Sequence, residues 1–370
     1  MDVCMNPYLD DGDLVLYQGD VSETLAGLEA ESVHCVVTSP PYWGLRDYGT
    51  GLWEGGDAEC DHLKVSDPVR AVATSGLEGG KKTTGHVQEG FGASCGKCGA
   101  RRVDSQLGLE PTPDLYLEAM VAVFREVRRV LRADGTCWLN IGDSYASNPA
   151  KGASGQGKET AYLGDGYGAE NRRDVPPGLK PKDLCMIPAR LALALQADGW
   201  WLRSQIVWAK PNPMPESVTD RPTSSYDLVY LLTKSPRYFF DAEAVREPQH
   251  PDGRRKTQRD YGETNGAHGN HQGMNERERW TGAGRNVRNV WEIATQPYPE
   301  AHFATYPEEL VRRCLLAGCP EGGTVLDPFF GSGTTGLVAR KHGRRTIGIE
   351  LSSSYCELAA RRLQQLSLLA

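Results

Sequence analysis

Apolar residues along the chain fall into two alternating patterns. Seven short runs rich in Val, Ile, Leu and Trp, at 14–17, 33–38, 136–142, 201–208, 227–233, 324–327 and 346–350, are bounded by Gly, Pro, Asp or Asn and read as buried or half-buried strands. Segments with helical spacing lie between several of them. The clearest covers 113–132, where Tyr116, Met120, Val123, Val127 and Val130 share one face and Asp134-Gly135 ends the run. Others cover 183–197, 307–317, 335–342 and 352–368. Strands alternating with helices predict an α/β fold, a mostly parallel seven-stranded sheet with helices on both faces.

Three stretches interrupt this pattern. Residues 50–105 are rich in Gly, Lys, Asp and Thr and hold a Cys/His cluster. Residues 147–180 contain Gly-Ala-Ser-Gly-Gln-Gly and read as a mobile loop, and 248–289 are polar and Arg-rich. Irregular segments of this length are usually functional or disordered. The expected division is a core built from 1–49, 106–247 and 290–370, with 50–105 as an insertion, 147–180 as a loop within the core span and 248–289 as a separate region.

Composition narrows the class. A chain of 370 residues with 39% hydrophobic and 24% charged positions fits a globular protein, as one large α/β domain or two small ones. No apolar run reaches about 18 residues, so no membrane partner is expected. Met1-Asp2-Val3-Cys4 has no leader-like pattern, so the expected location is the cytoplasm. The ten cysteines are scattered, and Cys35, Cys137 and Cys314 sit inside apolar segments, as buried thiols do in a reducing compartment. A net charge of −7 weighs mildly against nucleic acid, but its distribution matters more. Arg254, Arg255, Lys256 and Arg259 cluster in 248–289, where charge alone fits a phosphate-binding surface and a solvated loop equally.

Two motifs carry chemistry. Asp327-Pro-Phe-Phe-Gly-Ser-Gly-Thr-Thr335 reads as a strand, a tight turn and a helix start. Gly331 and Gly333 let the backbone approach a ligand closely, and Thr334 or Thr335 can cap the helix. Glu350 ends the next strand, placed to accept hydrogen bonds from ribose hydroxyls. No G-x-G-x-x-G or G-x-x-x-x-G-K-[ST] occurs, so NAD and P-loop readings lose support. The second motif, Thr38-Ser39-Pro40-Pro41-Tyr42-Trp43, ends a buried strand with two prolines, which force the chain out of the sheet at its ligand-binding edge. It presents a hydroxyl, carbonyl oxygens and an aromatic ring, a set that suits a planar, amine-bearing base taken out of a duplex.

Ser39-Pro40-Pro41-Tyr42 resembles the catalytic motif of S-adenosylmethionine-dependent DNA amino-methyltransferases, and the 327–335 turn resembles their cofactor motif. With the catalytic motif N-terminal, the order resembles the β group. The resemblance implies a Rossmann-like methyltransferase sheet, with the strand at 14–17 following Glu350 in space. It assigns S-adenosylmethionine to Asp20, Val21, Thr38, Phe303, Thr305, Asp327, Phe329, Gly331, Ser332, Gly333, Thr334, Thr335 and Glu350. It assigns the base amine to Ser39 and the Pro40 carbonyl, with Tyr42 stacked on the ring. It implies double-stranded DNA as partner and leaves open a homodimer and a cognate restriction endonuclease. Ser rather than Asp at position 39 resembles the cytosine-N4 enzymes, with adenine N6 as the alternative. A catalytically inactive DNA-binding fold and methylation of RNA or protein are the competing classes.

Cys60-Asp61-His62 and Cys95-Gly96-Lys97-Cys98-Gly99 form two ligand pairs with spacing suited to one tetrahedral structural zinc, His86 being an alternative to His62. Within 248–289, Arg254, Arg255 and Arg259 are the candidate DNA contacts.

Overall fold

In the computed structural model the apolar runs pair into one nine-stranded sheet. The structure describes residues 6–44, 50–57, 59–60, 95, 97–146, 175–248, 284–296 and 305–367. In chain order the elements are β1 (Leu9–Asp10), β2 (Leu14–Gln18), α1 (Val21–Gly27), β3 (Val33–Thr38), β4 (Leu52–Glu54), β5 (Arg101–Val103), α2 (Pro113–Val130) and β6 (Leu131–Ile141). They continue with α3 (Ile187–Ala197), β7 (Trp201–Ala209), β8 (Tyr226–Thr233), β9 (Val290–Glu292), α4 (Glu308–Gly318), β10 (Thr324–Asp327), α5 (Thr334–Lys341), β11 (Arg345–Glu350) and α6 (Ser353–Ser367).

The strand order is β1-β2-β11-β10-β3-β6-β8-β7-β9. Strands β2, β11, β10, β3 and β6 run parallel, and β8 is antiparallel to both β6 and β7. The sheet therefore has nine strands where the sequence predicts seven. All seven predicted strands are present, and the additional two, β1 and β9, lie at the edges with two and three residues. Strands this short carry too little alternation to be read from a pattern. A separate two-stranded ribbon, β4–β5, lies within the 50–105 insertion. Most of the three irregular stretches lies outside the described residues.

Helices cover both faces. Helix α2 starts at the Thr112 cap with Pro113 in its first turn and buries Tyr116, Met120, Val123, Phe124, Val127 and Val130. These side chains join Leu25 of α1 and Ile187 and Leu191 of α3 in one core. On the other face α4 and α5 pack over Trp138, Trp208 and Trp291, and α6 closes a third cluster against Leu14, Leu16 and Phe330. The carboxyl ends of β10, β11, β3 and β6 share one edge, to which the β7–β8 pairing brings Lys210 and Asp227. Chain order reverses between β10 and β3, the position at which open α/β sheets bind ligands.

Candidate active site

On the β10–β11 side, two carboxylates, the buried Asp327 and the half-buried Glu350, organise the glycine turn. Asp327 is fully enclosed, and four donors face its two oxygens. Oδ1 accepts from Thr38 Oγ1 at 2.7 Å and Phe329 N at 3.1 Å, while Oδ2 accepts from Thr335 Oγ1 at 2.6 Å and the Tyr306 hydroxyl at 2.8 Å. Tyr306 and Thr335 also contact each other. Asp327 thus laces β10 to β3, to α5 and to the segment before α4. Burial raises its pKa against the pull of those hydrogen bonds. Glu350 lies at the tip of β11. Its Oε2 accepts from Gly331 N and its Oε1 from Ser352 N, both at 2.8 Å. A carboxylate holding one donor on each oxygen retains acceptor capacity for two more. Burial raises the Glu350 pKa as well.

The turn differs from expectation in one respect. The α5 N-cap is Gly333, in the left-handed region at φ 79°, and no side chain caps the helix. Thr335 is committed to Asp327, and the Thr334 hydroxyl accepts from Arg362 of α6 at 3.0 Å. Arg362 also meets the Ser332 hydroxyl at 3.2 Å, so Ser332 and Thr334 are turned toward α6. Val21 and Phe329 are half-buried on the same core cluster. Asp20 caps α1 through Oδ1, accepting from Ser22 N at 2.8 Å and Glu23 N at 3.2 Å. Thr305 precedes Tyr306 and is half-buried, while Phe303 lies outside the described residues.

At the end of β3, Ser39, Pro40, Pro41 and Tyr42 leave the sheet as a turn anchored from several directions. The Ser39 hydroxyl donates to Asn140 Oδ1 at 3.3 Å. The Tyr42 hydroxyl lies 3.1 Å from that same oxygen and 3.3 Å from Asp227 Oδ2. Asn140 is fixed by its own Nδ2, which donates to the Leu228 carbonyl at 3.1 Å. Lys210 Nζ pairs with Asp227 Oδ2 at 2.6 Å and lies 4.7 Å from the centroid of the Trp208 ring. The Tyr42 ring lies so close to β6 that a Cβ on Gly142 would stand 2.4 Å from its Cε2. Burial and then the Asp227 charge push the Tyr42 pKa well up, keeping the phenol protonated. From α2, the Tyr116 hydroxyl donates to the Pro41 carbonyl at 2.9 Å.

The sequence motifs do not point to Asn140, Asp227, Lys210, Tyr116 or Tyr306 as site residues. Asn140 left one signal, a lone amide inside the apolar run Cys137-Trp138-Leu139-Asn140-Ile141. Lys210 and Asp227 meet only because β7 and β8 are antiparallel, which no local spacing reveals.

Cys60, Cys95 and Cys98 converge, their sulfurs all within 4.8 Å of one another. Cys60 and Cys95 are 3.8 Å apart, too far for a disulfide. That separation equals the edge of a tetrahedron with zinc–sulfur bonds of about 2.3 Å, about 3.8 Å. The donor set therefore fits a thiophilic tetrahedral metal. His62 and His86 lie outside the described residues, as do Arg254, Arg255 and Arg259.

The fold and the paired turns define a methyltransferase, and comparison with known proteins gives the family. The N6/N4 DNA methylase family matches residues 33–361, and the chain belongs to it. It is 40% identical to the Type II methyltransferase M.Cfr9I of Citrobacter freundii, over 94% of this chain and 87% of that one. It is 42% identical to the Type II methyltransferase M.XycI of Xanthomonas campestris pv. cyanopsidis, over the same shares. The solved PvuII DNA methyltransferase, described as cytosine-N4-specific, shares the fold at a TM-score of 0.55 and 15% identity, over 97% of this chain and 89% of that one. The protein is a Type II DNA methyltransferase of the N4/N6 class. No helix among the described residues is long and apolar enough to cross a membrane.

Proposed function

We propose that the protein methylates the N4 amine of a flipped-out cytosine in double-stranded DNA, using S-adenosylmethionine. The observation that carries this is the Ser39–Asn140 hydrogen bond beside the Pro40 turn. An exocyclic amine is a poor nucleophile because its lone pair is delocalised into the ring. Two acceptors on its protons, the Ser39 oxygen and the Pro40 carbonyl, favour a pyramidal nitrogen. Ser39 can serve as acceptor because its own proton goes to Asn140 Oδ1. The cofactor supplies an electrophilic sulfonium methyl. Glu350 and the Gly331 turn would hold its ribose, with Asp20 and Val21 on the adenine side and Thr305 nearby. Positioning and electrostatics then supply most of the acceleration.

Cytosine is favoured over adenine by Ser39, where an Asp would resemble adenine enzymes. Cys60, Cys95 and Cys98 are proposed to hold a structural zinc, because their sulfur spacing matches its coordination. Arg254, Arg255 and Arg259 remain the proposed DNA contacts from sequence. The test is methylation of mixed-sequence duplex DNA with labelled cofactor, digestion to nucleosides and mass identification. N4-methylcytosine supports the reading, N6-methyladenine overturns the choice of base, and neither product overturns amine methylation.

A further inference from the structure

We infer that the metal held by Cys60, Cys95 and Cys98 buttresses the base pocket: it orders the β4–β5 ribbon, and the segment leaving that ribbon clamps the catalytic turn. The inference rests on the zinc reading above and extends it to the active site.

Among the described residues the ribbon builds no core of its own. Its strands are three residues each, and Leu52 and Val103 are 74% and 40% exposed. None of its described strand residues belongs to the three hydrophobic clusters. A two-stranded ribbon alone is marginal in water. What is buried near it is Cys95 and Ala100, in a knuckle closed by Gly99 N on the Cys95 carbonyl at 2.8 Å and Cys95 N on the Ala100 carbonyl at 2.7 Å. Gly56, at the end of the β4 side, lies directly over this knuckle, where a Cβ would stand 2.7 Å from Cys98 Sγ. Thiolate–zinc bonds order small, loop-rich units of this kind outright.

The ribbon returns to the turn the chain has just left. Thr50 before β4 and Asp104 after β5 are joined at 2.8 Å. Beyond them, Gly44 N donates to the Gly108 carbonyl and Trp43 Nε1 to the Glu110 carbonyl, both at 2.9 Å. Gly108, at φ 91°, is pressed against the turn, and a Cβ there would lie 3.0 Å from the Tyr42 carbonyl oxygen and 3.4 Å from Pro41 Cβ. The catalytic turn is therefore held between Tyr116 on one side and the 104–110 segment on the other, with the thiol cluster at the far end of the same chain excursion.

The test uses the full-length protein. Metal analysis should find about one zinc per chain, and cobalt substitution should show thiolate-to-cobalt charge-transfer absorption. Zinc is then removed from the wild type with a thiol-directed mercurial and chelator, and Cys98→Ser is studied alongside. We expect faster amide hydrogen exchange at 42–44 and 104–110 and a fall in kcat of about tenfold or more, since small misplacements of reacting groups carry costs of that size. Cofactor affinity should change less than twofold, because Glu350 and Gly331 lie on the β10–β11 side, and it also certifies that the core remains folded. Unchanged exchange and kcat in the metal-free protein would overturn the buttress while leaving the zinc reading intact. Failure to bind zinc or cobalt would overturn both. A wild type that binds metal but methylates no amine would count against the proposed activity alone, and the exchange measurement would still decide the buttress.

Discussion

Replacing Asn140 by Ala should damage catalysis more than stability. Asn140 is 4% exposed, and its Oδ1 faces both Ser39 and Tyr42. Tyr42 has a second acceptor in Asp227 Oδ2, so its hydroxyl stays satisfied after truncation. Ser39 loses its Asn140 acceptor, and the Leu228 carbonyl loses the Nδ2 donor. Net hydrogen-bond contributions of roughly 0.5–1.5 kcal/mol each put the stability loss at about 1–3 kcal/mol. The larger effect falls on Ser39, whose proton would no longer be directed away from the substrate amine. Loss of one preorganised transition-state contact typically costs about a hundredfold in kcat, or about 2.7 kcal/mol. The assay is single-turnover methyl transfer at saturating DNA and cofactor, with cofactor affinity and denaturant unfolding measured on the same preparations. Asn140→Asp keeps an acceptor against Ser39 and should recover much of the loss. A kcat within twofold of wild type for Asn140→Ala, in folded protein that binds cofactor normally, would refute the role given to Asn140. So would an Asp variant no better than Ala.

Other consequences follow from the same geometry. Tyr42→Phe removes the hydroxyl but keeps the ring and leaves Asp227 paired with Lys210, so stability should fall by about 1 kcal/mol on denaturant unfolding, with only a few-fold loss of kcat. Gly142→Ala would set a Cβ against the Tyr42 ring, and steady-state assays should show lower kcat with cofactor affinity retained. Asp327→Ala leaves the Thr38 hydroxyl and the Phe329 amide without their acceptor, while Tyr306 and Thr335 keep each other, and should cost at least about 2 kcal/mol in denaturant unfolding. The raised Glu350 pKa gives a signed pH effect. The native state holds this proton more tightly than the unfolded chain, so acidification between the ordinary glutamate value and the raised one stabilises the apo protein. Cofactor binding needs the ionised form and should weaken over the same window, a trend that calorimetry should find flattened in Glu350→Gln.

The fold was legible where burial imposes long, regular patterns. Parallel strands such as β3 and β10 are covered on both faces and stand out as apolar runs. Helix α1 stayed hidden because it buries only Thr24 and Leu25 over seven residues, too few to set a period. The two motif turns were visible because Gly and Pro mark exits from a sheet. The polar network behind them was not, since Asn140, Lys210 and Asp227 come from the ends of three strands that meet only through sheet order. Asp327 shows the same limit from another side. Its place in the motif was readable, yet its bonds to Thr38 and Tyr306 depend on β3 and the segment before α4 packing beside β10.

The most direct measurement compares wild type with Ser39→Ala in one nucleoside assay, each incubated with duplex DNA and labelled cofactor. The wild type should yield labelled N4-methylcytosine and the variant none above background, with both proteins binding the cofactor equally. Equal yields of a methylated amine from both proteins, or a labelled product methylated elsewhere than on an exocyclic amine, would contradict the proposed activity.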